Sequence, residues 1–145
     1  EDVSEAIRMP EISICASDVS SLPAVRSFLL EMQRKLAREH NVVMDGRDIG
    51  TVVLPDADLK IFLTASAEQR AKRRMLELEA KGVGASFDEV LKDIEYRDEQ
   101  DTKRAAAPLR AAKDAVYVDT SSLSFDESAA MLAELVIDRL SPKQE

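Results

Sequence analysis

The sequence predicts an α/β fold in which short parallel strands alternate with helices. Three short apolar runs, at residues 42–44, 59–63 and 115–119, are separated by longer segments with helical apolar spacing. Short apolar runs are typical of buried strands, and strands alternating with helices favour a parallel sheet covered by helices. Ligands of such sheets bind beyond the carboxyl ends of the strands. Residues 45–50 and 64–65 are therefore the expected ligand-binding edge.

The helices are predicted from apolar spacing and from start signals. Residues 22–39 place an apolar stripe on one helical face, with Ser21 as the expected cap and Pro23 in the first turn. That stripe consists of Leu22, Val25, Phe28, Leu29, Met32 and Leu36. Three further starts have capping-box spacing: Ser66 with Gln69, Ser86 with Glu89, and Ser124 with Glu127. The helix after Ser66 is expected to run to about Lys81, because Gly82 and Gly84 follow.

Composition limits the possible functions. The formal net charge is -8, which disfavours nucleic-acid binding by the whole surface, so an anionic ligand needs a local basic cluster. No apolar run approaches the length of a membrane span, and the first residues do not resemble a signal peptide. A lone cysteine, Cys15, fits a cytoplasmic location. The two basic clusters are Arg70, Lys72, Arg73 and Arg74, and Arg97, Lys103, Arg104 and Arg110.

The segment Asp45-Gly46-Arg47-Asp48-Ile49-Gly50-Thr51 is the most informative part of the chain. Its glycines let the backbone approach a ligand closely, and Arg47 offers a planar set of donors suited to phosphate. Asp45 and Asp48 can accept from a metal-bound water, a ribose hydroxyl or a base amino group. A plain strand-to-loop turn with a surface ion pair is the alternative.

Two helical faces carry further candidates. The spacing of Arg97, Asp101 and Arg104 predicts that they share one helical face. Such a face could bind phosphate and sugar together, although a solvent-exposed face with salt bridges has the same pattern. Arg70, Arg73 and Arg74 share a face of the helix after residue 66. Arginines over a site neutralise moving phosphates, and an ordinary basic surface is the alternative.

Many short segments, in one order, resemble the bacterial cytidylate kinases, a branch of the P-loop nucleoside monophosphate kinases. They include Glu1-Asp2-Val3-Ser4, Ala16-Ser17, Pro23-x-Val25-Arg26, Asp45-Gly46-Arg47-Asp48-x-Gly50-Thr51-Val52-Val53, Pro55-Asp56-Ala57, Lys60-Ile61-Phe62-Leu63, Arg73-Arg74, Arg97-Asp98 and Ala107-Pro108-Leu109. The resemblance implies transfer of the γ-phosphate of ATP to CMP or dCMP, with Mg²⁺. It also implies a P-loop sheet with a CMP-binding insert and a mobile lid.

The resemblance also implies roles for individual residues. Ser17, Arg26 and Asp48 would recognise the cytosine edge, where a carboxylate accepts from the amino group while serine and arginine serve the ring nitrogen and carbonyl. Arg47 and Arg97 would hold the CMP phosphate. Asp101 would hold the ribose hydroxyls, and Arg104 would lie at the base and sugar. Arg73 and Arg74 would belong to the lid and reach ATP phosphates, and no residue of this chain is expected to bind the metal.

The chain departs from the family in one large respect. It contains no G-x-x-x-x-G-K-[ST], the loop whose amides cradle phosphates, since none of its four glycines begins such a motif. The family's first strand, central in its sheet, is also unmatched, so the fold is expected to be incomplete, with exposed edges that promote association.

We therefore expect a cytidylate kinase whose 145 residues alone are inactive. Residues 1–40 would form part of the CMP-binding region and the following helix, 41–66 core strands and the ligand loop, 67–105 the lid helices, and 106–145 a core strand and the C-terminal helix. Two alternatives stay open: a fragment that binds CMP or a partner without catalysis, and another P-loop phosphotransferase. The set of Ser17, Arg26 and Asp48 is suited to cytosine, which argues against a phosphoryl acceptor that lacks this base.

Overall fold

The computed structural model describes residues 2–4, 6–8 and 10–141. Its helices and strands follow in the order α1 (Pro10–Ser21), α2 (Pro23–Glu39), β1 (Ile61–Thr64), α3 (Ala67–Ala80), α4 (Phe87–Lys103), β2 (Val116–Asp119) and α5 (Phe125–Leu140). A short 3-10 helix, Ala6–Arg8, precedes α1, and a π-helical turn, Ile49–Val53, lies between α2 and β1. The predicted α/β class is confirmed.

The sheet described by the structure consists of two parallel strands. Ile61 pairs with Val116 and Thr64 with Asp119, and the ladder is extended at both ends by Val116 N donating to Lys60 O at 2.9 Å and Thr120 N to Thr64 O at 2.9 Å. Within residues 10–141 no strand pairs with the other edge of β1. The fold therefore has an open sheet edge, as expected of an incomplete sheet.

The predicted strand at residues 42–44 is absent. The segment is extended without a strand partner, and Val43 is fully exposed. Met44 lies across a cleft from β1. A strand is defined by hydrogen bonds to a neighbour, so an apolar run without an adjacent strand stays a single extended segment.

The helix starts are largely as predicted. Ser86 and Ser124 each form both hydrogen bonds of a capping box with Glu89 and Glu127, and Ser66 caps α3 by accepting from Gln69 N at 3.3 Å. Ser21 is not the cap of α2, because α1 runs to Ser21 and the N-cap is Leu22. Pro23 holds the residue before it in an extended conformation, which places the boundary at Leu22.

The buried core lies mainly between α3 and α4. Ala71, Leu78, Val90 and Ile94 pack together there, with Met75 and Leu91 half-buried against them. The apolar stripe predicted for α2 is instead largely open, with Phe28 68% exposed. No helix within the described ranges is long and apolar enough to cross a membrane.

The chain exposes more surface than a compact domain of its mass. Its accessible surface is 10967 Å². A compact monomer of 16.1 kDa exposes roughly 7,400 Å² by the scaling of area with mass. The excess, roughly 3,500 Å² on that scaling, is consistent with the open edge of β1 and the open face of α2.

Candidate functional site

The loop that follows residue 44 is folded into a π-helical turn. The carbonyl of Asp48 accepts from Val52 N at 2.9 Å and Val53 N at 3.2 Å, and Leu54 N donates to Ile49 O at 2.7 Å. Turns of this kind occur frequently at functional sites. Asp48 is the N-cap of the turn through its backbone carbonyl, and only 9% of the residue is exposed.

Four further charged residues join Asp48 in a chain of alternating sign, here called the charged cluster. Arg26, from α2, donates to Asp48 Oδ2, and Arg104 Nη2 lies 3.6 Å from Asp48 Oδ1. Arg104 Nη1 also lies 3.9 Å from Asp101 Oδ1, and Arg47 Nε donates to Asp101 Oδ2 at 2.7 Å. The cluster links α2, the loop and the end of α4, so five of the predicted site residues meet in space.

Arg104 reaches this cluster because it leaves the helix. Asp101 and Arg104 meet as the predicted shared face requires, although α4 ends at Lys103 and Arg104 is its C-cap, whose backbone N–H donates to Gln100 O. Its Nε donates to Ala107 O at 2.5 Å, where Ala107 has a φ of 50°. The turn that follows α4 thus aims the guanidinium at Asp48.

The guanidinium of Arg104 has an unused donor. Its Nη2 is buried and has no hydrogen-bond partner among the described residues, because 3.6 Å to Asp48 is beyond hydrogen-bond length. A buried donor left without an acceptor is costly. The atom therefore offers a ready position for a ligand acceptor, such as a base carbonyl or a sugar oxygen.

Three of the remaining predicted site residues, Arg97, Arg73 and Arg74, make their contacts outside the charged cluster. Arg97 donates through Nε to Asp93 O on its own helix at 3.3 Å, and Arg74 pairs with Glu77 at 2.9 Å. Arg73 donates to Thr120 O at 2.5 Å and Leu123 O at 3.1 Å, after the end of β2. Ser17 lies on α1, but its side chain is outside the described residues.

A cleft of about 550 Å³ runs between β1 and the loop. Its lining includes every residue from 59 to 65 and residues 44–47 and 49–51 of the loop. Arg70 and Arg73 also border the cleft, whereas Arg74 does not. Of the three arginines predicted to share one helical face, only two therefore reach the cleft.

Arg70 is held firmly at the border of the cleft. It donates to Asp98 through Nη1 at 2.9 Å and Nη2 at 2.6 Å, and to Ala65 O at 2.9 Å. These hydrogen bonds to Asp98 raise the pKa of Arg70 above its ordinary value. Because all three of its nitrogens are engaged, Arg70 stays charged and fixes α3 to α4 at the end of β1.

The described residues offer charged hydrogen-bonding groups rather than a cluster of metal ligands. The charged cluster places guanidinium donors beside carboxylate acceptors. No group of three or more His, Cys, Asp or Glu side chains that could hold a metal occurs in the part of the chain that the structure describes. The sequence also lacks the phosphate-cradling loop.

The two parallel strands and the helices that flank them define an α/β protein, a class in which ligands bind beyond the carboxyl ends of the strands. The family model described as cytidylate kinase matches residues 1–138. The chain belongs to the cytidylate kinase family, which confirms the resemblance drawn from its motifs.

Curated relatives agree with the family match. A protein named cytidylate kinase from Carboxydothermus hydrogenoformans is 54% identical over 135 residues, which are 93% of this chain and 61% of that protein. One with the same name from Geobacter sulfurreducens is 51% identical over 139 residues, 96% of this chain and 60% of that protein. The chain thus spans about three-fifths of the length of the curated relatives it matches.

Sequence reasoning missed two side chains that hold the loop. Arg34, on α2, donates to Val53 O at 3.1 Å and Val52 O at 2.8 Å. Lys60 pairs with Asp114 at 2.6 Å, and its stem packs against the site of Gly50. Arg34 follows Arg26 by two helical turns, a spacing that could have signalled it. Nothing local to Lys60 marks its contact with residue 50.

Proposed function

We propose that this chain carries the acceptor part of a cytidylate kinase, which transfers the γ-phosphate of ATP to CMP or dCMP. The observation that carries the proposal is the charged cluster, in which Asp48 is buried between Arg26 and Arg104 and one donor of Arg104 is unused. The family match and the names of the relatives support the same activity.

Asp48 would select cytosine. Its carboxylate accepts from the exocyclic amino group, and Arg26 donates to the ring acceptors, with Ser17 as a third contact. A site with buried polar groups rejects analogues that leave those groups unpaired. UMP presents a carbonyl where CMP has an amino group, so a carboxylate at this position disfavours UMP.

The ribose and phosphate of CMP would bind to successive residues of the charged cluster. Asp101 accepts from ribose hydroxyls, and Arg104 provides its unused Nη2 to the base or sugar. Arg47 is 57% exposed along its side chain and donates to Asp101 through Nε, so its Nη1 and Nη2 would meet the CMP phosphate. Arg97 would be the second phosphate ligand. Together they place the attacking phosphate oxygen and neutralise its charge.

The donor nucleotide needs residues that these 145 residues do not contain. ATP supplies the transferred phosphoryl group, and Mg²⁺ is expected with it. Arg73 and Arg74 would approach its phosphates if the hairpin of α3 and α4 acts as a lid, which requires Arg73 to leave Thr120 and Leu123.

The region boundaries given above, at residues 40, 66 and 105, belong to the same proposal. So does a cytoplasmic location, supported by the lone Cys15.

A calorimetric titration of CMP tests acceptor binding. We expect the chain to bind CMP more tightly than UMP, and Asp48→Asn to reduce the preference for CMP by about tenfold or more, since an amide no longer offers two acceptors. Asp126→Asn is the matched control, because Asp126 lies in the exposed first turn of α5. Equal affinity for CMP and UMP in the unaltered chain would contradict the assignment of Asp48.

Turnover is tested on two proteins. One is this chain, and the other is this chain joined to the portion of the Carboxydothermus cytidylate kinase that lies outside the matched region. CMP-dependent formation of ADP from Mg·ATP is expected only in the joined protein. Turnover by the 145-residue chain alone would overturn the view that it lacks the donor site. If the joined protein binds CMP without turnover, a binding module without catalysis is favoured.

A further inference from the structure

The loop that carries the candidate site is fastened at its far end by one side chain. Arg34 donates through Nη2 to Val52 O at 2.8 Å and through Nε to Val53 O at 3.1 Å. Val52 and Val53 are the last two residues of the π-helical turn. Carbonyls at the end of a helical turn lack partners within it, so a guanidinium with two parallel donors satisfies both of them.

The same helix holds the start of the turn. Arg26 donates to the carboxylate of Asp48, which is the N-cap of the turn, and Arg34 follows eight residues later on α2. Eight helical residues separate these two points by about 12 Å along the axis. A regular helix keeps that separation constant, so α2 serves as a rigid support that holds both ends of the turn.

The opposite side of the turn rests on Lys60. A Cβ at Gly50 would lie 3.3 Å from Lys60 Cγ and Cδ, and Lys60 is itself fixed by Asp114 at 2.6 Å and by Pro55 O. The middle of the turn therefore has little room to move toward β1. If Arg34 is removed, the far end of the turn loses both of these hydrogen bonds, so the position of Asp48 at the start of the turn is less restrained.

We propose that Arg34 is a positioning residue for nucleotide recognition: it holds the π-helical turn so that Asp48 and Arg47 face Arg104 and Asp101. The proposal rests on the proposed function, since it assigns Arg34 to the same CMP site. Arg34 does not itself touch the ligand. Its effect is on selectivity, because discrimination between CMP and UMP depends on where the Asp48 carboxylate lies.

The first test uses the chain without ligand. In Arg34→Met the amides of Val52, Val53 and Leu54 are expected to exchange with solvent about tenfold faster or more, since charged hydrogen bonds that fasten the turn are lost. Arg38→Met is the matched control, one helical turn further along α2 and exposed. Unchanged exchange of these amides in Arg34→Met would overturn the proposal, whether or not CMP binds.

The second test measures recognition in the protein that binds CMP in the titrations above. Arg34→Met is expected to lower the ratio of CMP to UMP affinity by about tenfold, while Arg38→Met leaves it unchanged. Arg34→Lys should restore part of the ratio, because an ammonium reaches one carbonyl where the guanidinium reaches two. A variant with unaltered helix content and an unaltered ratio would show that the contact is structural only. Failure of the unaltered protein to bind CMP would count against the proposed function, and amide exchange would still decide the role of Arg34.

Discussion

At the scale of single residues, the site depends on a buried carboxylate. Burying a charge costs several kcal/mol unless partners compensate it, and Asp48 is compensated by Arg26 directly and by Arg104 at 3.6 Å. The sequence pointed to Asp48 through the motif that contains it. It could not show that Arg104 lies opposite, because that contact joins residues 56 apart through a turn after α4.

Gly50 is a second residue whose identity is set by a distant neighbour. An added Cβ would lie 3.3 Å from Lys60, whose side chain is anchored and cannot easily give way. We expect Gly50→Ala to destabilise the chain by about 1 kcal/mol, as overpacking does, measured as a lower urea midpoint.

The control for this change is Gly84→Ala. No atom lies within 4 Å of the Cβ site at Gly84, so the substitution should be neutral or stabilise by up to about 1 kcal/mol through a less flexible unfolded chain. Equal destabilisation by both alanines would show that contact with Lys60 is not the cause.

At the scale of elements, helix starts are set by local hydrogen bonds. Ser86 accepts from Glu89 N at 3.3 Å, and Glu89 Oε2 accepts from Ser86 N at 3.0 Å. We expect Ser86→Ala to cost about 1 kcal/mol and to accelerate hydrogen exchange of the Glu89 amide. Ser122→Ala, in an exposed turn, is the matched control and should leave that amide unchanged.

The capping box of α4 also makes its stability depend on pH. The hydrogen bond from the Ser86 amide lowers the pKa of Glu89 from its ordinary 4.5. A carboxyl with a lowered pKa in the folded state stabilises above its unfolded pKa, and that stability is lost as pH falls through the folded value.

The corresponding experiment compares the chain with Glu89→Gln across a pH series. The stability difference between the two proteins should be present at pH 7 and constant down to about pH 5. It should then shrink as the pH falls below 4.5. A difference that does not change between pH 7 and pH 3 would show that the charge of Glu89 is not the stabilising feature.

At the scale of the whole molecule, the exposed surface is the main feature. The chain exposes 10967 Å², its β1 strand has an open edge, and a cleft of about 550 Å³ separates that edge from the loop. Open strand edges pair readily with other chains. We therefore expect the chain to self-associate at high concentration.

Leu63→Lys tests whether the β1 edge is responsible. Leu63 is 54% exposed on β1, and a lysine on an edge strand hinders pairing between edges, so sedimentation velocity should show less association. Leu76→Lys changes a leucine on α3 that is 67% exposed and is the matched control. If both lysines reduce association equally, apolar surface in general drives it.

By itself, the sequence determined the features that act over a few residues. The capping serines of α3, α4 and α5, the loop motif and the family follow from neighbouring residues or from motifs in order. Each of these signals is local, because a cap or a turn is satisfied within about four residues.

Only the tertiary structure decided the features that need a distant partner. Residues 42–44 are apolar enough for a strand, yet no described strand lies beside them, and the apolar stripe of α2 has no covering layer over Phe28. The convergence of Arg26, Arg34 and Lys60 on one loop also needed the tertiary structure, because the sequence shows the spacing of Arg26 and Arg34 along α2 but not what they contact. Strand pairing, burial and ion pairing depend on which segments meet in space, and residues far apart in the chain supply them.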